Sequence, residues 1–202
     1  EKRYYVGEDA KEAAVLQGNI LVDLYRSNPD GLDLDGNGKV SYVLLEGESS
    51  HQDSLIRTEW SIQTLKDGGV PLEKLTGGIA NWDRSQASAL MEQWMEEFPR
   101  EIELVICNND EMALGAADAL ERGGDTRPVK IVGIDGTPQG LEGLKTGKLF
   151  GTVQCDSEEY ADVIFEIAAA ESLGQNVQDQ VELKQGKYYQ CSQMALTSDS
   201  VR

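Results

Sequence analysis

Short apolar runs alternate with helix-period stripes along this chain, and each run breaks off into polar residues. The runs cover 40–45, 104–107, 129–134 and 150–153. Their length and β-branched content suit strands buried on both faces. Ala10, Ala13, Ala14, Leu21 and Leu24 form one helical stripe after the Gly7-Glu8-Asp9 start. Ala87, Leu90, Met91, Trp94 and Phe98 form a second, stopping before Pro99, and Met112, Ala113, Ala116 and Leu120 a third, closed by Gly123-Gly124. This alternation predicts an α/β fold, a doubly wound parallel sheet with crossover helices. Ligands of such sheets bind outside the carboxyl ends of the strands. The polar residues after each run are therefore the ones to examine: Ser50-His51-Gln52-Asp53, Asn108-Asn109-Asp110, Asp135-Gly136 and Gln154-Cys155-Asp156.

The chain has 202 residues, enough for one α/β domain with a sizeable core. Its 36 acidic and 18 basic residues give a net charge of −18, which repels phosphate backbones. No basic stripe reverses that field, so nucleic-acid binding is disfavoured. No apolar run is long enough to span a bilayer. Glu1-Lys2-Arg3-Tyr4-Tyr5 carries no targeting pattern, so any export signal is expected upstream or already removed. Cys107, Cys155 and Cys191 have no C-x-x-C spacing and read as neither a disulfide framework nor a zinc site. Cys107 ends an apolar run and is expected in the core. An odd count of cysteines argues against an oxidising compartment.

Asp33-Leu34-Asp35-Gly36-Asn37-Gly38-Lys39-Val40-Ser41 is the sharpest motif. It follows the calcium-loop rule: oxygen side chains at positions one, three, five and nine, glycine at six, and a backbone carbonyl at seven. Alternate residues of a tight loop bring several oxygens to one hard cation, and Gly38 supplies the turn. Position twelve is Leu44 rather than a bidentate Glu, and Leu44 falls in a strand. A distant carboxylate must complete the shell. Without it, the segment is an ordinary Asp/Asn/Gly turn.

His51, Asp53 and Arg57 follow the first strand of this group, with Arg57 one helical turn beyond Asp53. Such a pair offers donors and acceptors together to vicinal hydroxyls. Taken alone, it is an ordinary surface pair and His51 an ordinary helix cap. Asn109, Asp135 and Asn81-Trp82-Asp83 fall on the same expected edge. A pyranose needs planar polar groups around its rim and an aromatic face against its C–H surface. Trp82 supplies the face in this reading, and His51, Asp53, Arg57, Asn109 and Asp135 the rim.

At these residues the chain resembles the periplasmic galactose/glucose-binding proteins of the type I solute-binding superfamily. The similarity runs from Tyr4-Tyr5-Val6-Gly7 through Val43-Leu44-Leu45-Glu46-Gly47-Glu48 and Cys107-Asn108-Asn109-Asp110-Glu111-Met112-Ala113-Leu114-Gly115-Ala116 to Gly151-Thr152-Val153, and it fades after Leu173. The resemblance implies sugar contacts at His51, Asp53, Arg57, Trp82, Asn109 and Asp135. It implies calcium ligands at Asp33, Asp35, Asn37, the Lys39 carbonyl and Ser41, with Glu103 as the distant bidentate carboxylate. Two positions depart from the family. Ser41 stands where a Gln is usual, and Cys155 where an Asn contacts sugar.

The same resemblance implies that residues 1–202 form a single three-layer α/β/α lobe, the C-terminal one of two, whose N-terminal partner would precede Glu1. Segments within 157–202 would pack on that partner. This accounts for 160–173, which is apolar on most faces and needs cover on more than one side. It also accounts for 181–183 and 188–191, which read as strands without a neighbour. With that cover absent, 160–173 is expected to drive self-association.

The expected function is extracytoplasmic capture of glucose or galactose, in the periplasm or as a cell-surface lipoprotein. The sugar would pass to an ABC permease, with a chemoreceptor as a further partner and Ca2+ as a structural ion. The first rival is the effector domain of a sugar-responsive repressor, which the calcium loop disfavours. The second is an enzyme using His51 and Asp53 as an acid–base pair, for which no nucleophile motif or phosphate loop exists.

Overall fold

Residues 40–46 show how the sheet is covered. Val43 and Leu45 enter one apolar cluster, while Val40, Tyr42 and Leu44 enter another on the opposite face. Only a strand with helices on both sides can bury both parities of its side chains. In the computed structural model, which describes residues 3–200, the elements in chain order are β1 (Tyr5–Gly7), α1 (Ala10–Ser27), β2 (Val40–Glu46), α2 (Gln52–Asp67), β3 (Leu72–Ile79), α3 (Arg84–Glu97), β4 (Leu104–Cys107), α4 (Asp110–Arg122), β5 (Lys130–Val132), α5 (Pro138–Thr146), β6 (Gly151–Cys155), α6 (Ser157–Ser172), β7 (Tyr188–Gln190) and β8 (Gln193–Thr197).

The chain divides into two compact units, Ala10–Gln154 with Ala195–Arg202, and Glu1–Asp9 with Cys155–Met194. The larger is built on a six-stranded sheet in the order β3-β2-β4-β5-β6-β8. β3, β2, β4, β5 and β6 pair in parallel. From β2 the winding goes outward to β3 on one side and to β4, β5 and β6 on the other. The switch point of this doubly wound sheet therefore lies between β2 and β4. Helices α3, α4 and α5 cover one face with Met91, Trp94, Met112 and Leu144, and α1 and α2 the other with Leu21 and Leu65. Among the described residues, no helix is long and apolar enough to cross a membrane.

Each crossover helix begins on a polar cap just past a strand end. His51, Asp83, Asn109 and Thr137 accept the first free amides of α2, α3, α4 and α5. These caps satisfy donors that the first turn leaves unpaired. They also place polar side chains at the carboxyl edge.

In the smaller unit, β1 and β7 pair in parallel, with Tyr5 opposite Tyr188 and Gly7 opposite Gln190. Val163, Ile167 and Ala170 of α6 pack with Val177 and Val181, while Phe165 stays 73% and Ile164 43% exposed. Two sequence expectations change here. The segment 188–191 does have a neighbour, β1, which lies at the other end of the chain and is invisible to local pattern. The segment 181–183 forms no strand, although Val181 is buried. β3 and α5 were not anticipated. β3 carries Glu73, Lys74 and Gly77-Gly78 on the sheet edge and lacks an apolar run, and α5 is a short Gly-rich helix.

Candidate functional site

Four strand ends of the larger unit meet around one guanidinium. Arg57, on α2, is only 6% exposed. Its Nη1 donates to the Asn108 carbonyl at 2.7 Å and to Asp135 Oδ1 at 3.2 Å. Helical spacing had offered Asp53 as its carboxylate; the structure brings Asp135 from beyond β5 instead. The Arg57 side chain is buried while that of Asp135 is 33% exposed, so the pair is anchored inside and open at the acid. Asp53 lies in the first turn of α2, with its backbone amide on His51 Nδ1 at 3.2 Å.

Trp82 lies against this pair. The Arg57 guanidinium carbon is 5.7 Å from its ring centroid, and the His51 ring meets it edge-on at 5.3 Å. The ring fits because Gly47, at the end of β2, has no side chain; a Cβ there would overlap Trp82 Cζ2 and Cε2. Asn109 accepts the Met112 amide at 3.0 Å and donates to the Trp82 carbonyl at 3.4 Å, tying α4 to the tryptophan turn. Asn81, Trp82 and Asp135 all have positive φ, at 51°, 65° and 116°. Backbone strain of this kind gathers where a site fixes side-chain direction. Cys155 closes β6 and belongs to the smaller unit.

A second cluster forms where the loop after α1 meets the start of β4. Oxygens of Asp33, Asp35 and Glu103 lie within 4.8 Å of one another. Glu103 is 2% exposed; Oε1 accepts from the Leu34 amide at 2.6 Å and the Asp35 amide at 3.1 Å, and Oε2 from the Ser41 amide at 2.7 Å. Asp33 accepts from the amides of Asn37 and Gly38, and the Asn37 side-chain oxygen, Oδ1, from the Lys39 amide. The loop turns through Gly36 and Gly38 at φ 73° and 84°. The Lys39 ammonium is directed to Glu73 at 3.1 Å. Three carboxylates thus converge while the loop's own cation is engaged elsewhere. That donor set fits a hard divalent cation, with Asp33, Asp35, Asn37, the Lys39 carbonyl and Glu103 as its holders. Ser41 enters through its backbone amide on Glu103.

Residues 1–176 match the periplasmic binding protein domain family. The chain belongs to that family. It is 36% identical over 169 residues to the D-galactose/methyl-galactoside binding periplasmic protein of Haemophilus influenzae, covering 83% of this chain and 50% of that one. It is 33% identical to the xylitol-binding protein of Mycolicibacterium smegmatis, over 71% of this chain and 41% of that protein. Among solved structures, an ABC transporter solute-binding protein from Bacillus halodurans C-125 with bound myo-inositol superposes with a TM-score of 0.80 at 30% identity. That match covers 98% of this chain and 61% of the other. The chain thus spans about half the length of the curated relatives it matches. The family is one of binding proteins and not of enzymes.

Within this periplasmic binding protein unit, two residues quoted in the sequence without a role hold the edge together. Asn108, 1% exposed, accepts the Gly47 amide and the Ser54 hydroxyl, each at 3.0 Å. Asp110, fully buried, accepts the Thr152 hydroxyl at 2.6 Å and the Thr137 amide at 2.8 Å. Burial raises its carboxyl from 3.8 to about 6, against the lowering pull of Thr152 and Thr137. Their signal was their position directly after an apolar run, beside Asn109; the spacing could not say which of the three turns inward.

Proposed function

We propose that this chain carries one wall of a monosaccharide site in an extracytoplasmic solute-binding protein that serves an ABC importer. Glucose or galactose is the ligand, and calcium is a structural ion in the Asp33–Glu103 cluster. One observation carries the sugar reading: a buried arginine pinned to Asp135 beside the face of Trp82. Asp135 and Asp53 offer acceptors and Arg57 donors to adjacent hydroxyls, while the indole covers an apolar sugar face. His51 and Asn109 hold the indole from its edge and its backbone. The names of the relatives, which bind galactosides, xylitol and inositol, support a polyol ligand.

The cation supplies positive charge to three converging carboxylates and ties the loop to the strand carrying Glu103. This favours the importer over a repressor effector domain, since the cytoplasm keeps free calcium low. In the longer parent protein, closure of a second lobe would exclude water and strengthen each polar contact. A chemoreceptor remains a further proposed partner. The exposed Ile164 and Phe165 on α6 support self-association through 160–173 when that lobe is absent. A strictly monomeric mass in light scattering at high concentration would sink that part.

The decisive experiment is a monosaccharide panel titrated against the longer parent protein and read by tryptophan fluorescence. Saturation by glucose or galactose, shifted to about 100-fold higher sugar in Arg57→Met, is the expected outcome. Saturation by a furanose or a cyclitol alone would overturn the hexose assignment.

A further inference from the structure

The smaller unit brings together two cysteines that lie far apart in sequence. Cys155, at the end of β6, and Cys191, just past β7, each precede one of two residues joined backbone to backbone, Asp156 and Ser192, and each thiol feels the other. The backbones around them are clamped. The Asp156 amide donates to the Ser192 carbonyl at 3.1 Å, the Ser192 amide to Glu159 at 2.8 Å and the Tyr189 hydroxyl to Glu159 at 2.6 Å. The Cys191 amide donates to the Gly7 carbonyl at 2.9 Å, fixing its side from β1 as well. Cys191 is 1% exposed, and Cys155 is reachable from solvent. Cys107 is fully buried in the core of the other unit.

We propose that Cys155 and Cys191 are a disulfide-forming pair, closing a structural cross-link when the chain meets a disulfide oxidant. Each thiol gives up its hydrogen and the sulfurs join. The oxidant's S–S bond breaks and takes the two electrons and two protons as two thiols, the balance of ordinary thiol–disulfide exchange. Burial, with Glu8 adding to it, pushes the Cys155 thiol up to about 12, and burial raises Cys191 as well. Exchange therefore starts slowly, and the finished bond has poor leaving groups and resists reduction. Both features fit a structural bond and not a fast redox switch. The odd cysteine count is then two partners and one core residue, and it no longer argues against an oxidising compartment. Both cysteines belong to the smaller unit, so the cross-link would brace that unit internally.

The test uses the whole chain in a glutathione buffer poised oxidising, quenched with acid, denatured, counted for thiols and mapped by mass spectrometry. Free thiols should fall from three to one, with a Cys155–Cys191 peptide and a higher melting temperature than the reduced chain. Cys155→Ser and Cys191→Ser should each form no internal bond under the same treatment. Three thiols persisting would overturn the proposal. So would a glutathione adduct on Cys155 without the internal bond, or linkage through Cys107 or between copies. An oxidised chain that melts no higher than the reduced one overturns its structural role.

Discussion

The oxygen cluster and the carboxyl-edge site lie in one unit and both rest on carboxylates, yet they are assembled in opposite ways. Four of the five proposed cation holders fall within Asp33–Lys39, and the fifth, Glu103, arrives from elsewhere. The edge site takes His51 and Arg57 from α2 and its cap, Trp82 from beyond β3, Asn109 from beyond β4 and Asp135 from beyond β5. A loop can organise a spherical ion by itself, because the ion asks only for oxygens at one distance. A sugar has faces and directions, so its site needs several elements held in register.

The largest effect should come from Arg57→Met, which strips a charge-assisted donor from the edge and leaves the Asn108 carbonyl and Asp135 without it. Sugar affinity measured by calorimetry should fall about 100-fold, and stability by about 2 kcal/mol. The calcium response of the melting temperature should survive, which separates the two sites. Next in size, calcium at about 30 times its dissociation constant should stabilise the chain by about 2 kcal/mol, raising the melting temperature by roughly 4–8 °C. Glu103→Gln should erase that shift. An unchanged melting temperature between chelator and excess calcium would break the comparison at its metal half.

A pH titration probes a different buried acid, Asp110, held by protein donors in place of a cation. Asp110 keeps its proton to about pH 6 when folded but only to 3.8 when unfolded. The folded state therefore binds more protons in that window, and the contribution present below pH 4 is lost as pH rises through 6. Urea titrations from pH 4 to 7 should show a loss on the order of 2 kcal/mol, flattened in Asp110→Asn with the calcium shift intact. The smallest effect is expected of Gly47→Ala, whose methyl displaces the Trp82 ring and should weaken sugar binding about tenfold. Unaltered binding in that variant would remove the indole from the site.

The strands β2, β4, β5 and β6 and the helices α1, α3 and α4 were legible because both-face burial and helical period leave marks in single segments. β3 escaped, since an edge strand with Glu73, Lys74 and Gly77-Gly78 has no apolar run to read. Asn108 and Asp110 stood in view beside Asn109, but which of them turns inward depends on the backbone path from β4 into α4. The partner of Arg57 was likewise unreadable: Asp53 was in reach by helical spacing, while Asp135 comes near only through the β4–β5 ladder.

By itself the sequence determined the alternation of layers, the edge on which ligands would sit and nearly all of the cation loop, because those follow from local period and short spacing. The resemblance named Glu103 as the closing carboxylate and the tertiary structure brings it to the loop; only the tertiary structure decided that Arg57 meets Asp135 beneath Trp82 and that Cys155 finds Cys191. Each of these joins residues many positions apart, and sheet order and register, set by the packing of whole elements, fix which of many possible partners arrives.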